Sequence, residues 1–253
     1  MNRRKFLKNV VLFIPAGGVF RRIAEDANAA PATTQPATKG YDPAKHYYGM
    51  GIDIEKCIGC GLCIEACKTE NNVPREPFFC RTWVERYVIR KDGGVAVESI
   101  EARKGASREK TDEADILRSF FVPKLCNQCQ HPPCVQVCPV GATFSTDDGI
   151  VLVDADRCIG CRYCIQACPY GARYLHPATR TADKCTFCYH RGAQGLLPAC
   201  VEVCPTQARI FGDLKSKASR LVRFKRLNQI HVLKPQLNTE PKVYYSGLDG
   251  EVR

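Results

Sequence analysis

No apolar stretch beyond residue 29 approaches the roughly twenty residues that a membrane-spanning helix needs, so no span is expected in the body of this 253-residue chain. There is no C-x2-C-H run, and covalently attached haem is not expected. Neither a Walker sequence nor G-x-G-x-x-G occurs, which removes the motif-borne nucleotide-binding classes. Nothing in the chain suggests a pterin or quinone site of its own. No nucleic-acid motif accompanies the formal charge of +11. Six basic and two acidic residues place +4 of that charge within 1–29 and leave +7 for the remainder.

What is abundant is cysteine. Sixteen of the seventeen Cys fall into four quartets. They are Cys57, Cys60, Cys63 and Cys67; Cys126, Cys129, Cys134 and Cys138; Cys158, Cys161, Cys164 and Cys168; and Cys185, Cys188, Cys200 and Cys204. The third reads C-x2-C-x2-C-x3-C-P, the run by which bacterial ferredoxins hold [4Fe–4S] clusters. Its first three thiolates can wrap three irons of one cube. The fourth lies a helical turn further on and serves the other cluster of a two-cluster ferredoxin. A disulfide scaffold would not need such tight spacing. Zinc needs only two C-x2-C pairs and leaves the tight third Cys and the trailing Pro unexplained. Each oxidised cluster with four thiolates carries roughly −2, so four bring roughly −8 and offset the basic excess.

Residues 1–29 read as a targeting segment. Asn2-Arg3-Arg4-Lys5-Phe6-Leu7-Lys8 is a twin-arginine box. The apolar run 10–20 is interrupted by Pro15, Gly17 and Gly18, and Ala27-Asn28-Ala29 suits cleavage after Ala29. Such a Tat signal exports a protein already folded, with clusters inserted before its thiols meet an oxidising compartment. No Cys lies near the cleavage site, which disfavours a lipoprotein anchor. Residues 30–46 are a linker, polar and disordered over 30–40. A strand over 47–53 leads into the first quartet. Thr82–Arg90 alternates in the strand manner and turns at Asp92-Gly93-Gly94 into a second strand over 95–100. The charged stretch 105–115 reads as a surface loop, and 120–124 leads into the second quartet. Segments 143–145 and 150–153 form a hairpin around Asp147-Asp148-Gly149. A short strand over 208–211, a basic helix over 215–228 and an extended tail through Val243-Tyr244-Tyr245 complete the chain.

The quartets alternate in type. Cys57-Ile58-Gly59-Cys60 echoes Cys158-Ile159-Gly160-Cys161, and Pro133-Cys134-Val135-Gln136-Val137-Cys138-Pro139 echoes Ala199-Cys200-Val201-Glu202-Val203-Cys204-Pro205. In the fourth quartet, residues 189–197 must bulge between the second and third ligands. Lys68 stands where the other quartets have Pro139, Pro169 and Pro205, so the exit from the first quartet must differ.

With this order and spacing, and with Asp183-Lys184-Cys185 and Pro205-Thr206-Gln207-Ala208-Arg209, residues 47–246 resemble the four-cluster iron–sulfur subunits of the dimethyl sulfoxide reductase superfamily. That group includes electron-transfer subunits of polysulfide, thiosulfate and tetrathionate reductases, and the one associated with cytochrome c nitrite reductase. The resemblance implies an α+β fold of two nested two-cluster ferredoxin-like units with extra β-hairpins and a C-terminal helix. Residues 47–115 with 181–214 would form the outer unit, 116–180 the inserted unit, and 215–253 the helix and tail. It implies four [4Fe–4S] clusters. One takes Cys57, Cys60, Cys63 and Cys204, and its neighbour Cys185, Cys188, Cys200 and Cys67. In the inserted unit one takes Cys126, Cys129, Cys134 and Cys168, and the other Cys158, Cys161, Cys164 and Cys138. With every iron closed by thiolate, there is no catalytic residue to name. The implied role is electron transfer between a polytopic quinone-interacting membrane subunit and a catalytic partner, at the outer face of the membrane. That partner would be a molybdopterin enzyme or a multihaem cytochrome c. A free-standing polyferredoxin that shuttles electrons by diffusion is the alternative.

Four further residues are open to two readings. Arg162 and Lys184 lie beside ligands and would raise cluster potentials if close, or be ordinary surface charge if not. His131 and His190 would couple protons to reduction, or serve as structural hydrogen-bonding groups. Cys80, between Phe78-Phe79 and Trp83, reads as a buried thiol outside the quartets.

Overall fold

A computed structural model describes residues 40–76, 79–101, 105–106 and 113–252. The expected signal segment, and the linker as far as residue 39, lie outside the described residues. Residues 41–46, counted with the linker from sequence, are docked on the body. Tyr41 donates to Asp148, its ring stacks on His46, and Pro43–Lys45 forms a 3-10 turn.

The chain mixes helix and strand. β1 (Tyr48–Asp53) precedes the first quartet, which ends in α1 (Leu62–Glu70). β2 (Thr82–Arg90), β3 (Val95–Glu101), β4 (Gly105–Ala106) and β5 (Ile116–Leu125) follow as one antiparallel sheet in the order β4-β3-β2-β5. The second quartet carries α2 (Pro133–Gln136), then the hairpin β6 (Thr143–Ser145) and β7 (Val151–Val153). The third carries α3 (Tyr163–Gln166), then β8 (Arg173–Leu175) paired with β9 (Ala182–Lys184). The fourth contains α4 (Tyr189–Gly192) in its bulge and α5 (Ala199–Glu202) at its third ligand. β10 (Arg209–Asp213), α6 (Arg220–Leu227), β11 (Ile230–His231) and β12 (Val243–Ser246) complete the described chain.

Four features differ from the sequence reading. The stretch 105–115, read as a surface loop, opens with β4 on the edge of the sheet and ends in a 3-10 turn over Glu113–Asp115. The stretch 120–124 belongs to a ten-residue strand, β5, that pairs along the length of β2. The tail is a sheet member: β12 lies parallel to β1 in the order β10-β1-β12-β11. Helix α6 begins at Arg220 rather than 215, because the Ser219 side chain accepts from the Leu221 N–H and caps it there.

The Gly-Met-Gly-Ile alternation of β1 sorts its two faces. Met50 and Ile52 are wholly buried in the main core with Ile64, Val84, Val122, Leu125, Phe187 and Tyr245. Gly49 and Gly51 face α6. A Cβ on Gly51 would stand 2.7 Å from the Phe224 ring and 3.1 Å from Leu221. Gly51→Ala is therefore expected to lower stability by about 1–3 kcal/mol through overpacking. The stiffer unfolded chain offsets only about 0.4–1 kcal/mol. The apparent Tm of the holoprotein reads this, and a rise instead would show that the ring yields freely.

Packing joins quartets that are distant in sequence. α1 packs on α5, and β1 pairs with β10, so the first quartet meets the fourth. α2 packs on α3, so the second meets the third. Lys68, in place of a proline, lets α1 continue to Glu70. Its buried Nζ donates to the carbonyls of Arg75 (3.4 Å) and Glu76 (3.0 Å).

Candidate iron–sulfur sites

Each quartet begins with a loop whose residue before the second Cys is left-handed: Gly59 (φ 68°), Gln128 (φ 47°), Gly160 (φ 69°) and Phe187 (φ 53°). Such a turn directs successive N–H groups into one concavity, which suits an anionic guest. Glycine is required at two of the four. A Cβ on Gly160 would meet the Arg180 carbonyl at 2.5 Å, and one on Gly59 the Phe121 ring at 2.5 Å. Gln128 and Phe187 hold the same turn by burial. Gln128 is fully enclosed, donating to the Cys185 carbonyl and accepting from the Val151 N–H, both at 2.7 Å. The Phe187 N–H reaches the Cys185 Sγ at 3.4 Å.

The third Cys of each quartet sits in a helix: Cys63 in α1, Cys134 in α2, Cys164 in α3 and Cys200 in α5. The fourth lies a turn on. Cys57, Cys60, Cys63 and Cys204 line one cavity, with Arg209 in its wall. Burial raises the Cys67 thiol, and the charges of Cys185, Cys200 and Cys188 raise it further, so these four are neighbours. Asn71 Nδ2 lies 3.6 Å from both the Cys67 and Cys188 sulfurs. Burial pushes Cys129 up to about 12, with Cys126, Cys134 and Cys168 adding to it. For Cys158, Cys161, Cys164 and Cys138 the link is through packing: α2, which leads to Cys138, lies on α3, which carries Cys164. Burial would raise Cys138, but the backbone N–H groups of Thr143, Val140, Ala142 and Gly141 outweigh it and lower the thiol. The Ala182 N–H stands 3.4 Å from the Cys158 sulfur.

This donor set fits iron–sulfur cubes. None of the seventeen Cys is in a disulfide. Among the described residues no three Cys, His, Asp or Glu side chains are arranged to hold a single metal ion. Thiols held up by burial ionise when a metal core takes them. The buried cations beside them need that negative charge in return.

Lys184 and Arg162 looked alike in sequence and differ in the structure. Lys184 is 1% exposed, and its Nζ donates to the carbonyls of Val151 and Cys185. Burial lowers its pKa, which the thiols Cys126, Cys185 and Cys134 oppose. Arg162 is exposed at a left-handed turn, which is the surface-charge reading. His190 is structural. Its Nε2 lies 2.7 Å from Glu70, which also binds Arg191 at 2.9 Å and so ties α4 to α1. His131 is well exposed and lies 3.8 Å from Glu240. Cys80 is half-buried against the main core rather than enclosed.

The sequence reading missed two buried cations, Arg173 and Arg209. Arg173 Nη2 donates to the Cys134 sulfur at 3.1 Å. Arg209 is held by Thr82 at 2.8 Å. A repeated signal could have found them: Cys-Pro-x-x-Ala-Arg follows both the third and fourth quartets, ending at Arg173 and Arg209.

Among the described residues no helix is long and apolar enough to cross a membrane. Two families, each described as a 4Fe-4S dicluster domain, match the chain, one over residues 53–142 and the other over 117–214. The B component of tetrathionate reductase from Salmonella typhimurium is 46% identical, over 81% of this chain and 74% of that protein. Protein NrfC of Escherichia coli K12 is 38% identical, over 96% and 94% respectively. The B component of polysulfide reductase from Wolinella succinogenes is 38% identical, over 78% and 92%. With two dicluster domains and sixteen quartet thiols for four [4Fe–4S] clusters, the chain belongs to the four-cluster iron–sulfur electron-transfer subunits of the dimethyl sulfoxide reductase superfamily, and is not itself a catalytic subunit.

Proposed function

We propose that this subunit relays single electrons between a quinone-linked polytopic membrane subunit and a molybdopterin or multihaem catalytic partner in an exported respiratory complex. Its four ligand sets are, in spatial order, Cys57, Cys60, Cys63 and Cys204; Cys67, Cys185, Cys188 and Cys200; Cys126, Cys129, Cys134 and Cys168; and Cys138, Cys158, Cys161 and Cys164. Bound there, the clusters supply one-electron transfer and leave no iron open to substrate. The order is supported by Cys126 lying near enough to Cys185 for its charge to raise that thiol, which brings the two middle sets together. The twin-arginine box supports export.

One observation carries the two-partner reading. The exposed ligands are Cys60 and Cys161, one in each terminal set, and each is framed by uncovered apolar side chains. Ile58 is 58% exposed with Leu62 beside it, and Ile159 is 66% exposed with Tyr163 beside it. In the two middle sets no ligand is exposed: Cys67, Cys185, Cys188, Cys200, Cys126, Cys129 and Cys134 are buried and Cys168 is half-buried. Apolar rims around the terminal sets would exclude water where a partner's redox centre must come close. Ile58→Asp and Ile159→Asp are each expected to weaken a different partner, by about 2 kcal/mol or roughly 30-fold. Retained iron content would show that the wire itself is intact.

The test is co-purification. The chain, tagged at its C-terminus, is drawn from membranes solubilised anaerobically in mild detergent. A pterin-enzyme subunit together with a polytopic membrane subunit supports a quinone-linked oxidoreductase. Multihaem cytochromes place it in a cytochrome-linked complex. Soluble protein with no partner overturns the reading in favour of a diffusing polyferredoxin.

A further inference from the structure

Arg173 and Arg209 occupy equivalent places. Each ends a Cys-Pro-x-x-Ala-Arg run, each opens a strand (β8 or β10), and each is buried, at 5% and 3% exposure. Each is aimed by a threonine hydroxyl. Arg209 Nη2 donates to Thr82 Oγ1 at 2.8 Å, and Arg173 Nη1 to Thr143 Oγ1 at 3.3 Å. Arg173 then reaches the Cys134 sulfur at 3.1 Å. Arg209 keeps Nη1 buried with no hydrogen-bond partner among the described groups, while the side chain forms part of the wall around Cys57, Cys60, Cys63 and Cys204.

The neighbours of each guanidinium divide between two ligand sets. Around Arg173 they are Cys134 and Cys126 of one set and Cys164 of the other. Around Arg209 they are Cys63 and Cys57 of one set and Cys200 of the other. Cys134, Cys164, Cys63 and Cys200 are the third ligands of the four quartets. Each ferredoxin unit therefore has one buried cation between its two sets.

We propose that Arg209 and Arg173 are internal counter-charges, one per ferredoxin unit, each shared by that unit's two clusters and holding both reduction potentials up. Reduction adds one negative charge to a cluster, and a fixed guanidinium nearby stabilises the more negative form. Hydrogen bonds to ligand sulfur act in the same direction. Arginine suits the task because its charge survives burial where that of lysine gives way. A cation midway between two clusters also weakens the repulsion between electrons held on both.

The proposal rests on the four-cluster reading, which iron and sulfide analysis of the wild-type holoprotein tests separately. The experiment is an anaerobic redox titration of the holoprotein followed by electron paramagnetic resonance. Arg209→Gln is expected to lower the midpoints of two of the four clusters, and Arg173→Gln those of the other two. The shift should reach at least tenfold in the oxidised-to-reduced ratio at fixed potential, about 59 mV for one electron. Arg209→Lys and Arg173→Lys should recover only part of it, since burial weakens a lysine's hold on its proton, and Arg162→Gln, at the surface, should move nothing. No shift, or one spread evenly over all four clusters, overturns the proposal. If the Gln variants do not assemble, Thr82→Val and Thr143→Val remove only the aiming hydroxyls. They must then disturb the same disjoint pairs, and unchanged midpoints in both would overturn it equally.

Discussion

Removing the iron is expected to melt the inserted unit first and to abolish cooperative unfolding of the whole. The reason is how little else holds that unit together. It lends Val122, Leu125, Ile150, Leu152 and Ala172 to the main core, but around its own thiols the buried apolar cluster is Cys134, Val151 and Cys164 with Ala182 of the adjoining β9, and two of these are quartet thiols. α2 and α3 are four residues each, and β6 to β9 three residues each. Helices shorter than about 12 residues and isolated two-stranded hairpins are marginal in water. The outer unit differs, because its Met50, Ile52, Ile64 and Val84 pack with Val243 and Tyr245 of the tail in an apolar core besides its thiols. After anaerobic chelation, hydrogen exchange should show Val151, Val153, Ala182 and Lys184 losing backbone protection, while Met50, Ile52 and Val243 retain part of theirs. The thermal transition should broaden or vanish. An apoprotein with a sharp transition and even protection would show that the polypeptide carries its own core through the inserted unit.

Asp183→Ala is the second large effect, expected to cost about 3–5 kcal/mol. Asp183 lies on β9, directly before Lys184 and Cys185. Its carboxylate takes a two-pronged ion pair from Arg81, with Nε at 3.0 Å and Nη2 at 2.8 Å. It also accepts from the Lys184 N–H at 2.8 Å and from the Tyr174 hydroxyl. Arg81 goes on to Asn71 at 2.9 Å, and Asn71 reaches the Cys67 carbonyl at 3.0 Å. The pair thus fastens α1 and the start of β2 to the strand that enters the fourth quartet. Without Asp183, a guanidinium 5% exposed is left without its counter-ion, and that dominates the penalty. In a domain of this size the loss corresponds to a Tm drop of roughly 6–20 °C, taking about 2–4 °C per kcal/mol. Arg81→Met combined with Asp183→Ala should cost less than the sum of the two single changes, because no buried charge is then orphaned. Strict additivity would mean the ion pair adds nothing beyond its parts.

The two expectations separate what is local from what is not. The ligands and their loops were visible in sequence because cluster binding is local over three thiols. C-x2-C spacing, left-handed Gly59 and Gly160, and the turn-forming Pro139, Pro169 and Pro205 all act within a dozen residues. The hairpins of Thr82–Arg90 with its partner, and of 143–145 with theirs, were visible for the same reason: short loops with Gly at the turn.

What sequence by itself determined, then, is the chemistry: sixteen thiols in four repeated quartets, enough to place the chain in its family. What tertiary structure alone decided is which charges stand beside those thiols. Arg162 and Lys184 each neighbour a ligand in sequence, yet pairing of β9 with β8 buries Lys184 while a left-handed turn exposes Arg162. Arg173 and Arg209 are five residues past their nearest Cys, and nothing in that spacing marks either as a charge beside a cluster, until the packing of α2 on α3 and of α1 on α5 brings two ligand sets around each. The placement of β12 beside β1 is of the same kind. Its alternation says only that it is a strand, and the edge it joins is set by the space between β1 and β11. Ligand spacing is written along the chain, whereas burial and charge neighbours arise from contacts between residues that the chain keeps far apart.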